Sequence, residues 1–431
     1  MIGADLPWIE PFLAVMAPLP ARLALVGGAV RDLLLHRRHN HPWIGLPDLD
    51  LVVDHGWPGD RALPPAHRLA LALEAQGHVS ALQLHAAYGT AELVFQGFAL
   101  DLASARQETY PAPGENPCVN FAELEQDLSR RDFTINAMAL VFLPQGKNEP
   151  SAQFEPLLCD PAGGLEDLAA RRLRFLHAAS VRDDPTRLVR AARYAARLGF
   201  QLAPESWQQV RQTLADWPWL WTPADEPSLA PPALATRLRM ELELLLEREP
   251  WREALGHLQA WGGLTLLDEG IQNDAGWRRR LQWAQRFDVP LLPALLVAAN
   301  DPLGVAERLQ VPHRMHRLIQ QWLSLRQRLQ ERALEGAWQP SRWCGFLEAP
   351  GLSAEAVALA LASGLGPRRP LLRWLLRWRH SRSPQSAAQL IAAGVPRGPE
   401  LGRRLQELRA AALDATEGGS ARSVCRQQSS P

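Results

Sequence analysis

The hydrophobic pattern changes once along this chain, and the change limits the folds that the chain can adopt. In roughly the first 165 residues, short apolar runs of strand length alternate with helical patterns, as at 23–26, 30–35 and 48–53. From Leu165 onward, apolar residues recur almost throughout at three- and four-residue spacing. The sequence therefore predicts a small α/β or α+β domain that is followed by a helical remainder.

Further segments of the first part carry local signals. A double proline precedes a helical pattern at Ala66–Ala75. The strand-like runs Ala91–Phe95 and Phe98–Leu102 are separated by a Gln-Gly pair and predict a β-hairpin. Residues Gln107–Asn120 are rich in Pro, Gly and Asn, which predicts a mobile loop. The pattern of Leu124–Ala139 predicts a helix.

Charge is distributed unevenly between the two parts. The chain has 46 basic and 46 acidic residues, and this neutrality taken alone argues against a nucleic-acid partner. Residues 1–170, however, contain 10 basic and 21 acidic residues, a net charge of −11, whereas residues 171–431 contain 36 and 25, a net charge of +11. This division predicts an acidic part that is able to hold metal ions and a basic part that is able to bind a polyanion.

Composition excludes several classes of protein. A hydrophobic content of 47% and a charged content of 21% argue against global disorder, and 431 residues predict more than one domain. The four cysteines lie far apart without a CxxC pair, so neither a disulfide framework nor a zinc site is predicted. Neither a signal-peptide pattern nor an apolar stretch of bilayer length is present, and we therefore expect a cytoplasmic protein without a membrane partner.

Two glycines and two acids form the first motif with chemical potential. Gly27 and Gly28 separate a strand pattern from a helix pattern, so their backbone can approach a phosphate at a helix N-terminus, with Arg31 in the first turn. Asp48 and Asp50 alternate on a strand and project from one face, where divalent metal ions would offset their repulsion. The alternative is a glycine turn beside an acidic, solvated strand.

Two further motifs combine arginines with acids. In Arg130-Arg131-Asp132, which we place at a helix start, Arg131 suits a triphosphate, while Asp132 or Asn136 suits a ribose hydroxyl or an orienting contact to an arginine. An ordinary capped surface helix is the alternative.

The other motif lies on the helix pattern that follows Asp183. Asp184, Arg187, Arg190 and Arg193 recur at intervals of three and wind slowly around one side of this helix. An Asp and an Arg one turn apart present acceptors and donors that suit the edge of a nucleobase. Ion pairs within an ordinary helix N-terminus are the alternative interpretation.

The ordered runs LVGGAVRDLLL, DLDLVV, RRDFTINAMAL and DDPTRLVRAARYAARLGF resemble the class II tRNA nucleotidyltransferase and bacterial poly(A) polymerase family. The resemblance covers about residues 20–250. It implies an α+β protein in which a small polymerase-β-like nucleotidyltransferase head domain with a mixed β-sheet precedes an all-α neck, body and tail. We place the catalytic head at 1–165, the nucleotide-reading neck at 166–250, an RNA-binding body and tail at 251–415, and a disordered tail at 416–431.

The resemblance also implies roles for individual residues. Asp48 and Asp50 match the catalytic pair that binds two Mg²⁺ ions, and Asp101 is a third candidate ligand, although an acid capping a loop is the alternative there. The positions matching nucleotide-binding residues are Gly27, Gly28 and Arg31 for the triphosphate, Arg131 and Asp132 near the nucleotide and its ribose, Asp184 and Arg187 for the base, and Arg190 and Arg193. The base-reading motif usually begins Glu-Asp in the family, whereas this chain has Asp183 and Asp184.

The resemblance implies a template-independent, metal-dependent enzyme. We expect it to add CCA, CC or A to the acceptor end of tRNA from CTP or ATP with release of pyrophosphate. The Gln107–Asn120 loop is where we expect control of the change from C to A addition. A poly(A) polymerase is the first alternative, and a non-catalytic RNA-binding relative is the second.

Overall fold

The computed structural model describes residues 8–16, 22–43, 45, 49–54, 63–86, 88–142, 156–332 and 338–425. Asp48, one of the two expected catalytic acids, lies outside these residues. The chain forms two compact units, of which the first comprises 1–222 with 229–263 and the second comprises 223–228 with 264–431.

The first unit contains the β-structure. In the described part of the chain the strands are β1 (Arg22–Val26), β2 (Asp50–Asp54), β3 (Val79–His85), β4 (Thr90–Phe95), β5 (Phe98–Ser104), β6 (Arg106–Thr109), β7 (Cys118–Phe121), β8 (Ala139–Phe142), β9 (Pro156–Cys159), β10 (Arg172–Leu173) and β11 (Gln201–Leu202). Seven of them form one sheet with the order β3-β4-β5-β2-β1-β8-β9. Strands β2 and β5 run parallel and the other neighbours run antiparallel, which confirms the predicted mixed sheet.

The centre of this sheet is buried because its strands are apolar on both faces. Leu23–Val26 of β1 and Leu51–Val53 of β2 are all buried. Both runs were predicted as strands, and the hairpin of β4 and β5 was predicted as well. The first residue of β2, Asp50, is exposed, whereas the rest of the strand is buried. An acid therefore lies at the end of a central strand of the sheet.

Helices cover the sheet and continue the first unit. They are α1 (Ile9–Met16), α2 (Gly28–His39), α3 (Pro65–Ala75), α4 (Leu124–Ser129), α5 (Gly164–Ala169), α6 (Ser180–Asp183), α7 (Thr186–Leu198), α8 (Pro204–Asp216), α9 (Pro232–Arg248) and α10 (Trp251–Ala260), with a 3₁₀ turn at Thr134–Asn136. A second 3₁₀ turn, Gly263–Leu266, begins at the last residue of this unit and continues into the second unit. Helix α7 packs on α9 and α10 through buried Leu188, Val189 and Ala192. It ends at Gly199, whose φ of 67° is the left-handed cap that glycine favours.

The second unit is helical. Its helices are α11 (Glu269–Gln272), α12 (Trp277–Arg286), α13 (Leu291–Leu296), α14 (Pro302–Arg308), α15 (His313–Arg332), α16 (Pro340–Leu347), α17 (Ala354–Ala362), α18 (Arg368–Leu376), α19 (Ala387–Ala392) and α20 (Pro399–Cys425), with 3₁₀ turns at Pro227–Leu229 and Trp378–His380. Trp322, Leu325, Val357 and Leu361 lie in its buried core. Among the described residues, no helix is both long and apolar enough to span a bilayer.

The segment predicted as a mobile loop at Gln107–Asn120 is largely a β-hairpin. Strands β6 and β7 pair in antiparallel register, from Arg106 opposite Phe121 to Thr109 opposite Cys118. The tip is anchored as well, because the Gly114 backbone amide donates to the Asp183 carbonyl over 3.1 Å. The loop prediction was wrong at both ends since alternating residues can pair across a turn despite intervening Pro and Gly.

The single helix predicted at Leu124–Ala139 is also wrong. Helix α4 ends at Ser129, a short 3₁₀ turn follows, and the chain then enters β8, which pairs with β1. Buried Phe133 and Ile135 draw this segment into the core, so tertiary packing overrides its helical pattern. Arg130-Arg131-Asp132 therefore follows a helix end and does not start a helix.

The C-terminal segment differs from its prediction. Helix α20 continues to Cys425, so the backbone of residues 416–425 is helical where disorder was predicted, and 426–431 lie outside the described residues. Adding one residue to an existing helix costs far less than nucleating one, which lets α20 extend into a polar sequence. The predicted head and neck lie in the same compact unit. Their functional boundaries at 165 and 250 remain predictions.

We predict that Gly164→Ala destabilises the first unit. A Cβ atom at Gly164 would lie 2.4 Å from the backbone oxygen of Thr134, so α5 and the 3₁₀ turn would have to separate, at a cost of about 1–3 kcal/mol. Chemical denaturation measures this loss. Gly345→Ala in α16 is the control, because its Cβ would meet no atom within 4 Å. Equal stability of the two variants would contradict the prediction.

Candidate active site

One cavity of about 550 Å³ in the first unit brings together most of the residues predicted from the motifs. Predicted residues that line it are Gly27, Gly28, Asp50, Arg131, Asp132, Asp184, Arg187 and Arg190. Arg31, Asp101 and Arg193 do not belong to its lining, and Asp48 lies outside the described residues. The fold therefore joins motifs that are separated by more than 130 residues in sequence into one polar site.

The turn at Gly27 has a backbone conformation that favours glycine. Its φ is 73°, and a Cβ atom there would lie 3.0 Å from Nη1 of Arg131 and 3.7 Å from Oδ2 of Asp50. A side chain at this position would strain the backbone and would also require the Arg131 guanidinium to shift. Because α2 begins at Gly28, the turn also places the positive end of a helix dipole at the cavity.

Two carboxylates lie side by side at the adjoining edge of the sheet. Asp50 of β2 and Asp101 of β5 are direct partners on parallel strands, and both residues are exposed. Neighbouring strands are about 4.8 Å apart, so side chains at paired positions point to the same face and meet there. Oxygen ligands of this kind are what Mg²⁺ prefers. Among the described residues, which exclude Asp48, no group of three or more potential metal ligands is found.

Arg31 lies behind the turn rather than in the cavity. The residue is 2% exposed, and its guanidinium donates to both carboxylate oxygens of Asp32, at 2.8 and 2.9 Å, and to Oδ1 of Asn136 at 2.7 Å. Burial acts to lower the pKa of Arg31, but the hydrogen bond and charge of Asp32 raise it above its usual value. The side chain also stacks over the ring of Tyr194, 5.1 Å from its centroid.

Asp132 joins the head to helix α7. Its Oδ2 accepts from Nε and Nη2 of Arg190 at 2.9 and 2.7 Å, and its Oδ1 accepts from the Phe133 amide and from Asn136. Burial acts to raise the pKa of Asp132, yet Arg190 and these donors hold it below its usual value. A carboxylate with four donors is rigid, so Asp132 fixes the direction of Arg190 at the cavity wall.

Asp184 and Arg187 face the cavity at the start of α7. Asp184 Oδ1 accepts from the backbone and hydroxyl of Thr186, which leaves Oδ2 beside Nη1 of Arg237 at 3.3 Å. Arg187 is 5% exposed, and its guanidinium donates from Nη2 to the Arg130 carbonyl at 3.0 Å. This pair lines the same cavity as the glycine turn.

Arg193 does not reach the cavity. It forms ion pairs with Glu241 and Glu249, and Arg197 shares Glu249 with it. The three-residue spacing that placed Arg193 with Arg187 and Arg190 advances 300° per step, so later members leave the first face of the helix. In this structure Arg193 holds α7 against α9.

Comparisons with known proteins show which family this chain belongs to. Residues 23–174 match the Poly A polymerase head domain family. The CC-adding tRNA nucleotidyltransferase of Deinococcus radiodurans is 35% identical over 396 residues, which cover 89% of this chain and 91% of that enzyme. The chain belongs to the tRNA nucleotidyltransferase family.

Another relative in this family matches more locally. The A-adding tRNA nucleotidyltransferase of Aquifex aeolicus is 34% identical over 253 residues, or 58% of this chain and 26% of that longer enzyme. Among solved structures, apo form II of a CCA-adding enzyme shares the fold with a TM-score of 0.69 and 23% identity, over 95% of this chain and 92% of the other. The α+β head with a helical remainder is therefore the family fold.

Sequence reasoning missed several residues that complete this nucleotidyltransferase cavity. Tyr110 and Arg237 line it beside Asp184, and Tyr194 forms part of its wall. Burial raises the pKa of Tyr110 to about 12, so its hydroxyl stays protonated at neutral pH. Only the tertiary fold brings these residues together, although Tyr110 sits in the alternating run RQET-Y, which gives a weak strand signal.

A buried acid organises the arginines on the hairpin side of the cavity. Asp127 is fully buried and pairs with both Arg130 and Arg131 at 2.9 Å. Burial acts to raise its pKa, but the two guanidiniums hold it below its usual value. Glu108 of β6 binds Arg130 as well, at 2.9 Å. Arg131 is thus held toward Gly27 while Arg130 is held toward the hairpin.

We predict that Asp132→Asn destabilises the protein at neutral pH, because Arg190 loses a charged, doubly hydrogen-bonded partner. The expected loss is roughly 1.5–3 kcal/mol. Since the folded pKa of Asp132 is lowered, its stabilisation is present above the unfolded value of about 3.9 and disappears as pH falls through the folded pKa. Denaturation at pH 7 and pH 3 measures both effects.

The control is Glu166→Gln, which removes a carboxylate whose side chain is 77% exposed in its pair with Arg172. Exposed pairs of this kind contribute about 0–1 kcal/mol. An Asp132→Asn protein as stable as Glu166→Gln at pH 7 would count against the assigned role of Asp132.

Proposed function

We propose that this chain adds nucleotides to the 3′ end of tRNA from CTP or ATP and releases pyrophosphate. The observation that carries the proposal is that two sets of residues line one cavity. The first set, which is Asp50, the glycine turn and Arg131, suits a metal-bound triphosphate. The second set, which is Asp184 and Arg187, suits a nucleobase edge.

The acid edge of the sheet supports the metal assignment. We propose that Asp48 and Asp50 hold two Mg²⁺ ions, with Asp101 as a further ligand, since Asp50 and Asp101 meet on adjacent strands. When bound, such ions activate an attacking hydroxyl and neutralise charge on the phosphates. The protein's own contribution is to align an RNA 3′-hydroxyl in line with the α-phosphate, and no covalent enzyme intermediate is required.

The leaving pyrophosphate would be stabilised from the protein side by the glycine turn and Arg131. The turn offers backbone N–H groups at the start of α2, and Nη1 of Arg131 lies beside Gly27. A phosphate bound at the turn would therefore meet both kinds of donor. Arg31 has its donors occupied by Asp32 and Asn136. We therefore propose that Arg31 supports the glycine turn through its contacts with Asp32 and Asn136, and that Arg193 holds α7 against α9.

Base recognition would use the start of α7. Cytosine and adenine each present an exocyclic amine that donates and a ring nitrogen that accepts. A carboxylate accepts from the amine, and a guanidinium donates to the ring nitrogen, so Asp184 with Arg187 suits both bases but not uracil. Asp132 would orient Arg190 and approach the ribose from the head side.

We infer that C addition is the principal activity, because the relative that matches this chain nearly end to end is named a CC-adding enzyme. The cytoplasmic location follows as an expectation from tRNA processing.

We predict that Asp50→Asn abolishes nucleotide incorporation, with a loss of at least about 1000-fold, because a metal ligand is removed without a change in side-chain shape. Binding of tRNA should stay within about two-fold in a filter-binding assay. Incorporation of labelled CTP into tRNA with Mg²⁺ is the measurement, and Asp48→Asn should behave in the same way. Glu74→Gln, on the exposed side of α3, is the control. Comparable incorporation by Asp50→Asn and the control would refute the metal site.

We also predict which tRNA ends are extended. Transcripts that lack CCA should gain two C residues with CTP alone, and transcripts that lack only the final A should gain little with ATP. An oligo(A) primer is the comparison. Complete CCA addition would establish the broader activity, whereas extension of oligo(A) but of no tRNA would replace the tRNA proposal with poly(A) synthesis. A lack of any Mg²⁺-dependent incorporation would favour the non-catalytic alternative.

A further inference from the structure

His177 contacts Arg187, the arginine that we propose reads the base. Its Nε2 is 3.2 Å from Nη1 of Arg187, and its Nδ1 is 4.0 Å from Oδ2 of Asp183. The ring therefore lies near both Asp183 and Arg187, the charged residues before and after Asp184 in the third motif. Nothing in the sequence pattern pointed to this position.

The other contacts of the Arg187 guanidinium are to backbone oxygens. Nη2 donates to the Arg130 carbonyl at 3.0 Å, and Nη1 lies 3.5 Å from the Ser180 carbonyl. A carbonyl accepts hydrogen bonds at every pH, whereas an imidazole nitrogen accepts only when it carries no proton. Among these three partners, His177 is the one whose acceptor depends on protonation.

The backbone of His177 is held in place from both sides of the peptide. The Gln209 side chain donates to the His177 carbonyl at 2.8 Å, and the His177 amide donates to the Ser180 hydroxyl at 3.3 Å. For Nε2 to accept from Arg187, the ring proton has to be on Nδ1, which is the side that faces Asp183. The Asp183 carboxylate favours that tautomer by its charge.

We propose that neutral His177, with its proton on Nδ1, positions Arg187 for reading the base, and that protonation of His177 releases this arginine. The inference rests on the proposed function, since it assigns a positioning residue to the same site. It adds a pH dependence to nucleotide selection that the metal site does not predict.

The surroundings of His177 support this assignment. Burial lowers its pKa, the charge of Arg187 lowers it further, and Asp183 opposes them. The neutral form therefore prevails at pH 7 and above, and the contact is lost as pH falls below the usual histidine range. His177 also lines a second cavity of about 690 Å³, and its side chain is 38% exposed, so a proton can reach the ring from solvent. Its charged lining residues are Arg174, Arg182, Glu205 and Asp216.

The test compares His177→Ala and His177→Gln with the wild-type chain. A glutamine amide oxygen is able to accept from Arg187 but does not titrate. We measure kcat and KM for CTP and UTP on tRNA lacking CCA between pH 5 and pH 8. In the wild type, discrimination between CTP and UTP should fall about ten-fold toward pH 5, which is the effect of one charged hydrogen bond.

His177→Ala should show the reduced discrimination at every pH, and His177→Gln should retain it with little pH dependence. His257→Gln on α10 is the matched control, because burial lowers the pKa of His257 as well, and this ring stacks on Trp261 away from the cavity lining. Wild-type discrimination and pH profile in His177→Ala would overturn the proposal. So would an equal change in His257→Gln.

Calorimetric CTP binding separates this inference from the proposed function. If the wild type extends no tRNA, the proposed function fails, yet CTP affinity can still be compared between His177→Ala and His257→Gln. Weaker binding in His177→Ala alone, with its thermal unfolding unchanged, supports the positioning role. Unchanged CTP affinity in His177→Ala refutes it. If His177→Ala does not fold, His177→Gln decides through its pH profile, where retention of the wild-type titration overturns the proposal.

Discussion

The ion pair between Asp132 and Arg190 is the interaction on which the site depends. Asp132 lies between α4 and β8, whereas Arg190 lies on α7. Their hydrogen bonds of 2.7 and 2.9 Å join these two parts of the first unit. A buried carboxylate or guanidinium that loses its partner is strongly destabilising. The segment that precedes β8 and helix α7 are therefore held together by charge.

The need of each buried charge for a partner of opposite charge divides several arginines of the first unit into two groups. Arg31 and Arg197 pair with carboxylates outside the cavity lining, whereas Arg193 pairs with Glu249 and with the cavity-lining Glu241, and all three stabilise packing. The ring of Tyr194 lies beside Arg31 and Arg197. Arg131 and Arg187 are held by one flank and present the other to the cavity. Each buried acid thus determines which guanidiniums remain available to an anionic ligand, because a buried carboxylate needs a guanidinium as its charged partner.

Some of the site was predictable because its residues act locally. A glycine pair between a strand and a helix, and an acid at the start of a buried strand, have the same consequence in any fold that contains them. Other assignments required distances that a sequence does not contain. Three-residue spacing grouped Arg193 with Arg187, but α7 turns Arg193 toward Glu249. The Pro- and Gly-rich composition of 107–120 concealed a hairpin that β6 and β7 form by pairing.

The sequence by itself determined that an α+β head precedes a helical remainder, because strand and helix periodicities are local properties of hydrophobic residues. It also determined which motifs carry charge, and that acidic and basic parts cancel in the whole chain. Only the tertiary structure decided which charged groups neutralise one another and which face the cavity. The reason is physical: Asp132 and His177 act on arginines through contacts of about 3 Å between segments, and such contacts follow from packing.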